Sequence, residues 1–157
     1  MRINLVCVGK TADREIQSLM DYYIKRLPRA WNFSFVEIPD VRNAKNLSPA
    51  QLKKEEGKLI LSQLEGCDYI ILLDENGALW TSRELAAKID HWQGNAVKNV
   101  AFVIGGAYGF SDEVYAAAKQ KLSLSKMTFT HQMIRLFFTE QLYRADQILQ
   151  GRPYHND

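Results

Sequence analysis

The sequence predicts an α/β fold in a single domain spanning residues 1–157, a parallel sheet flanked by helices. Three observations carry this expectation. The apolar runs Ile3–Val8, Tyr69–Leu73 and Val100–Ile104 lack the polar alternation of a half-exposed strand, which marks strands covered on both faces. Segments with helical spacing separate the runs, the order that builds a parallel sheet. The 157 residues are 46% hydrophobic and 24% charged, enough for one sizeable core and ordinary for a globular chain.

The elements follow in order. Ile3–Val8 is the first strand. Asp13–Leu27 places Ile16, Leu19, Met20, Tyr23 and Leu27 at helical spacing, and Pro28 stops it. Phe33–Ile38 is a strand closed by Pro39. Residues 40–48 form a polar loop carrying Arg42 and Lys45. Ser48-Pro49, a capping residue before a proline at the first helical position, opens a helix to about Leu64. Tyr69–Leu73 is a strand running into the loop "DENG". Ser82–Trp92 is a helix and Val100–Ile104 the next strand. Ser111-Asp112 opens a short helix to about Lys119, and Leu122–Leu124 is a short strand. His131–Leu149 is a long apolar helix stopped by Gly151 and Pro153.

Parallel sheets bind ligands beyond the carboxyl ends of their strands. That rule gathers "LLDENG", "IGGAYG" and "LSKMTF" on one rim. Glycines at 105, 106 and 109 leave room there for a ligand to approach main chain. Leu73 is either core or an apolar wall of that rim. Asp74-Glu75 is either an acid/base pair or a pair of loop charges.

Several classes are excluded. Gly9-Lys10-Thr11 resembles the end of a phosphate-binding loop, but the earlier glycine that such a loop needs is Asn4. No dinucleotide fingerprint starts at Gly9 or Gly105. Cys7 and Cys67 have no metal-ligand spacing and are expected as free thiols in a reducing, cytoplasmic setting. No apolar run reaches the length of a membrane span, and the first ten residues read as a strand rather than a leader. A net charge of +2 permits contact with nucleic acid only through local patches, with Arg26, Arg29, Arg42 and Lys45 as candidates. The tail "GRPYHND" follows the last helix stop. It is either a frayed end or an aromatic and a titratable group brought to the rim.

"VIGGAYGF", "LSLSKMTFTHQMIRLFFTEQLYRA" and the terminal "PYH" resemble the RlmH family, the 23S ribosomal RNA pseudouridine N3-methyltransferases of the SPOUT superfamily. "VGK", "YIKRL", "EIPD", "KKEEGKLIL" and "LLDENG" extend the resemblance over nearly the whole chain. It implies a SPOUT-type fold with a C-terminal trefoil knot, a homodimer, and ribosomal RNA as partner. It also implies S-adenosylmethionine as methyl donor, without metal. Carried onto this chain, the donor is held by Leu73, Gly105 and the segment Leu124, Ser125, Lys126, Met127, Thr128 and Phe129. The implied catalytic groups are Tyr154, His155 and Arg144, with Arg135 as a further phosphate or substrate contact. Two positions depart from the family pattern. Asn156 stands where a basic residue is common, and Thr130 where proline often precedes the histidine.

The chemistry fits these groups. The acceptor N3–H must lose a proton during transfer, either to His155 as base or with an arginine stabilising the anion. Transfer RNA remains open as an alternative acceptor, as does a non-catalytic module that senses a nucleotide-like ligand.

Overall fold

The computed structural model describes all residues, Met1–Asp157. Its centre is a five-stranded sheet in the order β2-β1-β4-β3-β5, parallel throughout. The strands are β1 (Arg2–Val8), β2 (Ser34–Ile38), β3 (Tyr69–Leu79), β4 (Asn99–Ile104) and β5 (Gln120–Ser123). The helices are α1 (Arg14–Ile24), α2 (Pro49–Gln63), α3 (Ser82–Gly94), α4 (Asp112–Ala117) and α5 (His131–Leu149).

Both faces of the sheet are covered, which is why the strands read as continuous apolar runs. Ile3, Leu5 and Cys7 of β1 with Val100, Phe102 and Ile104 of β4 face one core, against α1, α3 and α5. Val6 and Val8 with Ala101 and Val103 face a second core, against α2 and α4. Register aligns them: Leu5 stands beside Phe102 and Val6 beside Val103. In the larger core the rings of Phe102 and Phe138 lie 4.5 Å apart, so β4 and α5 are joined at the sheet centre. Each such side chain contributes roughly 1.5–3 kcal/mol on burial.

Helix starts follow their capping chemistry. Ser48 with Gln51 and Thr81 with Glu84 form reciprocal capping boxes that open α2 and α3. Ser111 and Thr130 accept from the backbone at Val114 and Met133 to open α4 and α5. Helix α1 ends sooner than its apolar spacing suggests. Arg26 and Leu27 donate to carbonyls three residues back, tightening the chain ahead of Pro28.

One strand departs from expectation. β3 does not stop at Leu73 but runs to Leu79. Its pairing with β5 shifts register between Leu73 and Ala78, both of which face Leu122. "DENG" is therefore a bulge within a strand, not a terminal loop. No helix is long and apolar enough to cross a membrane.

Candidate functional site: a cleft at the carboxyl rim

Three chain segments leave the sheet at the same edge and enclose a cleft of about 540 Å³. Residues 73–76 come from the β3 bulge, 104–110 follow β4, and 123–129 follow β5. The first turns of α5 close it with His131 and Ile134. That volume lies in the range of small-molecule sites. Leu73, Ile104, Phe110, Phe129 and Ile134 supply apolar wall.

The main chain supplies the polar part. Gly106 is bridged antiparallel to Gly109, whose N–H donates to the Gly106 carbonyl at 3.2 Å, while the N–H groups of Gly105, Ala107 and Tyr108 have no acceptor within the protein and remain unspent donors. The space a side chain would take at Gly105 is filled by Phe110, whose Cε1 would lie 2.9 Å from an added Cβ. The third segment is braced by its own serines. Ser123 Oγ donates to the carbonyl of Ser125 at 2.8 Å, and Ser125 Oγ accepts from the Met127 N–H at 2.9 Å. At the bulge, Asp74 accepts from Tyr115 Oη at 2.5 Å. Burial first, and then Asp74, push that hydroxyl up to about 12. The pair ties the β3 bulge to α4.

The tail is docked, not frayed. Tyr154 is half-buried, packs edge-on against Tyr143 with ring centres 4.9 Å apart, and donates to Glu140 Oε1 at 2.9 Å. Arg144 grips the same carboxylate through Nη2 at 2.6 Å and Nε at 3.4 Å. His155 Nδ1 lies 3.1 Å from Arg144 Nη1, and its Nε2 lies 2.5 Å from Asp157 Oδ1. Asp157 in turn accepts from Arg83 Nε of α3 at 2.6 Å. Burial, then the bond to Glu140, holds the Tyr154 hydroxyl above its ordinary value, so it stays protonated near neutrality. Glu140 also borders a second hollow of about 380 Å³, floored by Trp80, Leu85 and Phe137. That hollow shares Leu122, Leu124, Ser125 and Phe129 with the cleft.

The family model described as "Predicted SPOUT methyltransferase" matches residues 1–155. The chain belongs to the SPOUT methyltransferase family. A protein of Christiangramia forsetii named Ribosomal RNA large subunit methyltransferase H is 51% identical over 156 residues, covering 99% of each chain. A protein of the same name from Parabacteroides distasonis is 47% identical over 157 residues, covering both chains completely. Among solved structures, a probable methyltransferase from Bordetella pertussis has a TM-score of 0.58 at 12% identity, covering 92% of this chain and 95% of that one. A probable methylase family protein from Haemophilus influenzae has a TM-score of 0.57 at 13% identity, covering 99% of this chain and 70% of that one. At those identities the likeness concerns the SPOUT fold alone.

The SPOUT assignment sorts the residues expected from sequence. Leu73, Gly105, Leu124, Ser125, Met127, Thr128 and Phe129 all line the cleft. Lys126 does not; its side chain is exposed. Tyr154, His155 and Arg144 come together with one another but do not line the cleft. Arg135 is overturned as a phosphate contact. It is 1% exposed, and its guanidinium donates to the carbonyls of Val8 and Gly9 and to Thr11 Oγ1 at 2.7–2.9 Å. The four basic candidates for a nucleic-acid patch divide between the two edges of the sheet. α1 starts at the carboxyl end of β1 and runs back, so Arg26 and Arg29 lie at the opposite edge of the sheet; Arg26 stacks 3.5 Å over Tyr22. Arg42 and Lys45 follow the carboxyl end of β2 and remain on the rim side.

Sequence reasoning missed two clamps. Gln132 accepts from the Ala12 N–H at 2.9 Å and donates to the Lys10 carbonyl at 3.2 Å, tying the loop after β1 to the start of α5. Glu56 of α2 sits behind the Gly105-Gly106 loop. Neither residue has a local signature, since a polar residue on a helix reads as a solvated face.

Proposed function

We propose that this SPOUT chain transfers a methyl group from S-adenosylmethionine to large-subunit ribosomal RNA, at N3 of a pseudouridine. The observation that carries the reading is the cleft, lined by the loop whose Gly105, Ala107 and Tyr108 N–H groups are unspent and walled by apolar side chains. Those groups fit a ligand with an adenine edge and an apolar thioether-like centre. The near-complete overlap with relatives named for large-subunit ribosomal RNA supports the acceptor class.

Bound S-adenosylmethionine supplies a methyl group already activated on a sulfonium. The protein's share is positioning, worth about 7–11 kcal/mol in favourable cases, and help with the acceptor proton. Main-chain donors suit the first task because they cannot rotate away. The second falls to the tail. Its groups are engaged with Glu140 and Arg83 rather than turned into their own cleft. This supports a homodimer in which one chain's tail serves its partner's cleft. His155 then acts as base at N3, or Arg144 steadies the anion. A dimer also covers exposed apolar side chains. Leu136, Phe138 and Leu142 are spent on the chain's own core. Leu19, Tyr22, Phe129 and Phe137 remain exposed. The same reading carries the trefoil knot implied by the family; α5, which follows β5 and packs between α3 and α1, is the segment it would involve.

The test supplies methyl-labelled S-adenosylmethionine with free 23S RNA, large subunits, whole ribosomes or transfer RNA. Label in large-subunit RNA is expected. Label in transfer RNA alone would move the acceptor, and no binding of the donor would leave only a sensor module. Binding is expected to survive EDTA. Light scattering that gives a mass near 18.0 kDa at micromolar concentration would reject the dimer.

A further inference from the structure

Glu56 and Asp146 are the two buried carboxylates of the molecule, at 7% and 5% exposure. Asp146 is answered by the amides of Gln147 and Gln150. Glu56 is not answered: Oε1 has no hydrogen-bond partner, and no cation pairs with the group. Leaving such a group buried is costly unless the fold needs it there.

Its position shows what the fold gains. A Cβ added at Gly106 would lie 2.6 Å from Glu56 Oε2 and 2.7 Å from Oε1, so the carboxyl fills the space a side chain would take. The neighbouring residue, Gly57, makes a second close approach. A Cβ there would meet Ser111 Oγ and lie 3.1 Å from Ser111 Cβ, beside the cap of α4. Two consecutive residues of α2 are thus fitted to the two ends of one segment, Gly106 and Ser111. The same segment lines the cleft, and the N–H groups of its Gly105, Ala107 and Tyr108 have no acceptor within the protein.

We infer that Glu56 is a positioning residue for the cofactor loop: its carboxyl group, set in the side-chain space of Gly106, holds the Gly105–Tyr108 backbone with its N–H groups toward the cleft. It does so by shape rather than by charge. Burial first, and then Asp40, push its carboxyl above the ordinary carboxylate range. The inference rests on the reading of the cleft as an S-adenosylmethionine site.

The experiment is calorimetric titration with S-adenosylhomocysteine, the unreactive product, so that affinity is read apart from turnover. Thermal melting of each variant confirms folding. E56Q is expected within about twofold of wild type, and E56A and G106A weaker by roughly tenfold. KM for RNA should stay unchanged in all three. The double variant E56A/G106A should bind no worse than G106A, because the clash and the missing group concern one space. A folded E56A with wild-type affinity, or E56Q as weak as E56A, overturns the inference. Where E56A does not fold, G106A decides by the same criterion. Failure of wild type itself to bind would overturn the cofactor reading instead.

Discussion

Arg144 Nη1 stands 3.1 Å from Nδ1 of His155. A guanidinium has no lone pair to offer, so Nδ1 must accept, and the ring proton sits on Nε2, directed at Asp157 Oδ1. Both nitrogens of the expected base are therefore engaged while the tail rests on its own chain. His155 becomes available to a substrate only when one of those contacts is exchanged.

Deleting residues 154–157 should abolish methyl transfer and leave the fold standing. The loss of the Tyr154–Tyr143 contact and the bond to Glu140 should cost about 1–2 kcal/mol, a few degrees in melting temperature. His155→Ala should lower the single-turnover rate more than it weakens RNA binding, while Tyr154→Ala should lower both. Full methylation of ribosomal RNA by the truncated chain would remove the tail from the mechanism.

Gly105→Val should eliminate donor binding. Its Cβ would lie 2.9 Å from the Phe110 ring, which is itself only 5% exposed and cannot swing into solvent. Overpacking of this kind costs about 1–3 kcal/mol, so the variant should still fold but with a displaced loop. Calorimetry with S-adenosylmethionine checks it; unchanged affinity would place the site elsewhere.

Arg135→Ala should be among the most destabilising single changes in the chain. It orphans the carbonyls of Val8 and Gly9 and the Thr11 hydroxyl, and leaves Glu37, 3.6 Å away, without its cation. The expected cost is about 3–5 kcal/mol by chemical denaturation. Arg135→Lys should recover little, because one ammonium cannot reproduce the planar fork.

Glu56 also sets a pH dependence of stability. Its folded-state acid strength is weakened by burial and by Asp40, so the folded chain holds the proton more tightly than the unfolded one. Its contribution is fully present below the ordinary value of about 4.3 and is lost as pH rises through the folded-state value. Melting of wild type and E56Q from about pH 4 to pH 8 should therefore show a gap that opens in favour of the glutamine as pH rises. A gap that stays constant or closes would contradict the assignment.

Much of this was readable one segment at a time. The long helix runs from His131 to Leu149 as its apolar spacing and the stop at Gly151 indicate, and Ser48 caps α2 as expected. The rim was readable because strand direction alone sends Leu73, Gly105 and Leu124 to the same edge. Arg135, which the resemblance implied as a phosphate or substrate contact, has no neighbour in sequence that marks it as buried. Its partners lie up to 127 residues away in the chain. The tail was ambiguous for the same reason: nothing near Tyr154 announces that Glu140 and Tyr143 wait one helix turn from each other to receive it.

The sequence by itself determined the α/β class, the two-sided core and the edge where the cleft opens. These depend on hydrophobic periodicity and caps, which are written in neighbouring residues. The tertiary structure alone decided that "DENG" is a bulge held by pairing with β5, that Arg135 seals the end of β1, and that Glu56 occupies the space behind Gly106. Each of these is a contact between distant segments, and its energy comes from desolvation and fit that exist only once the layers have packed.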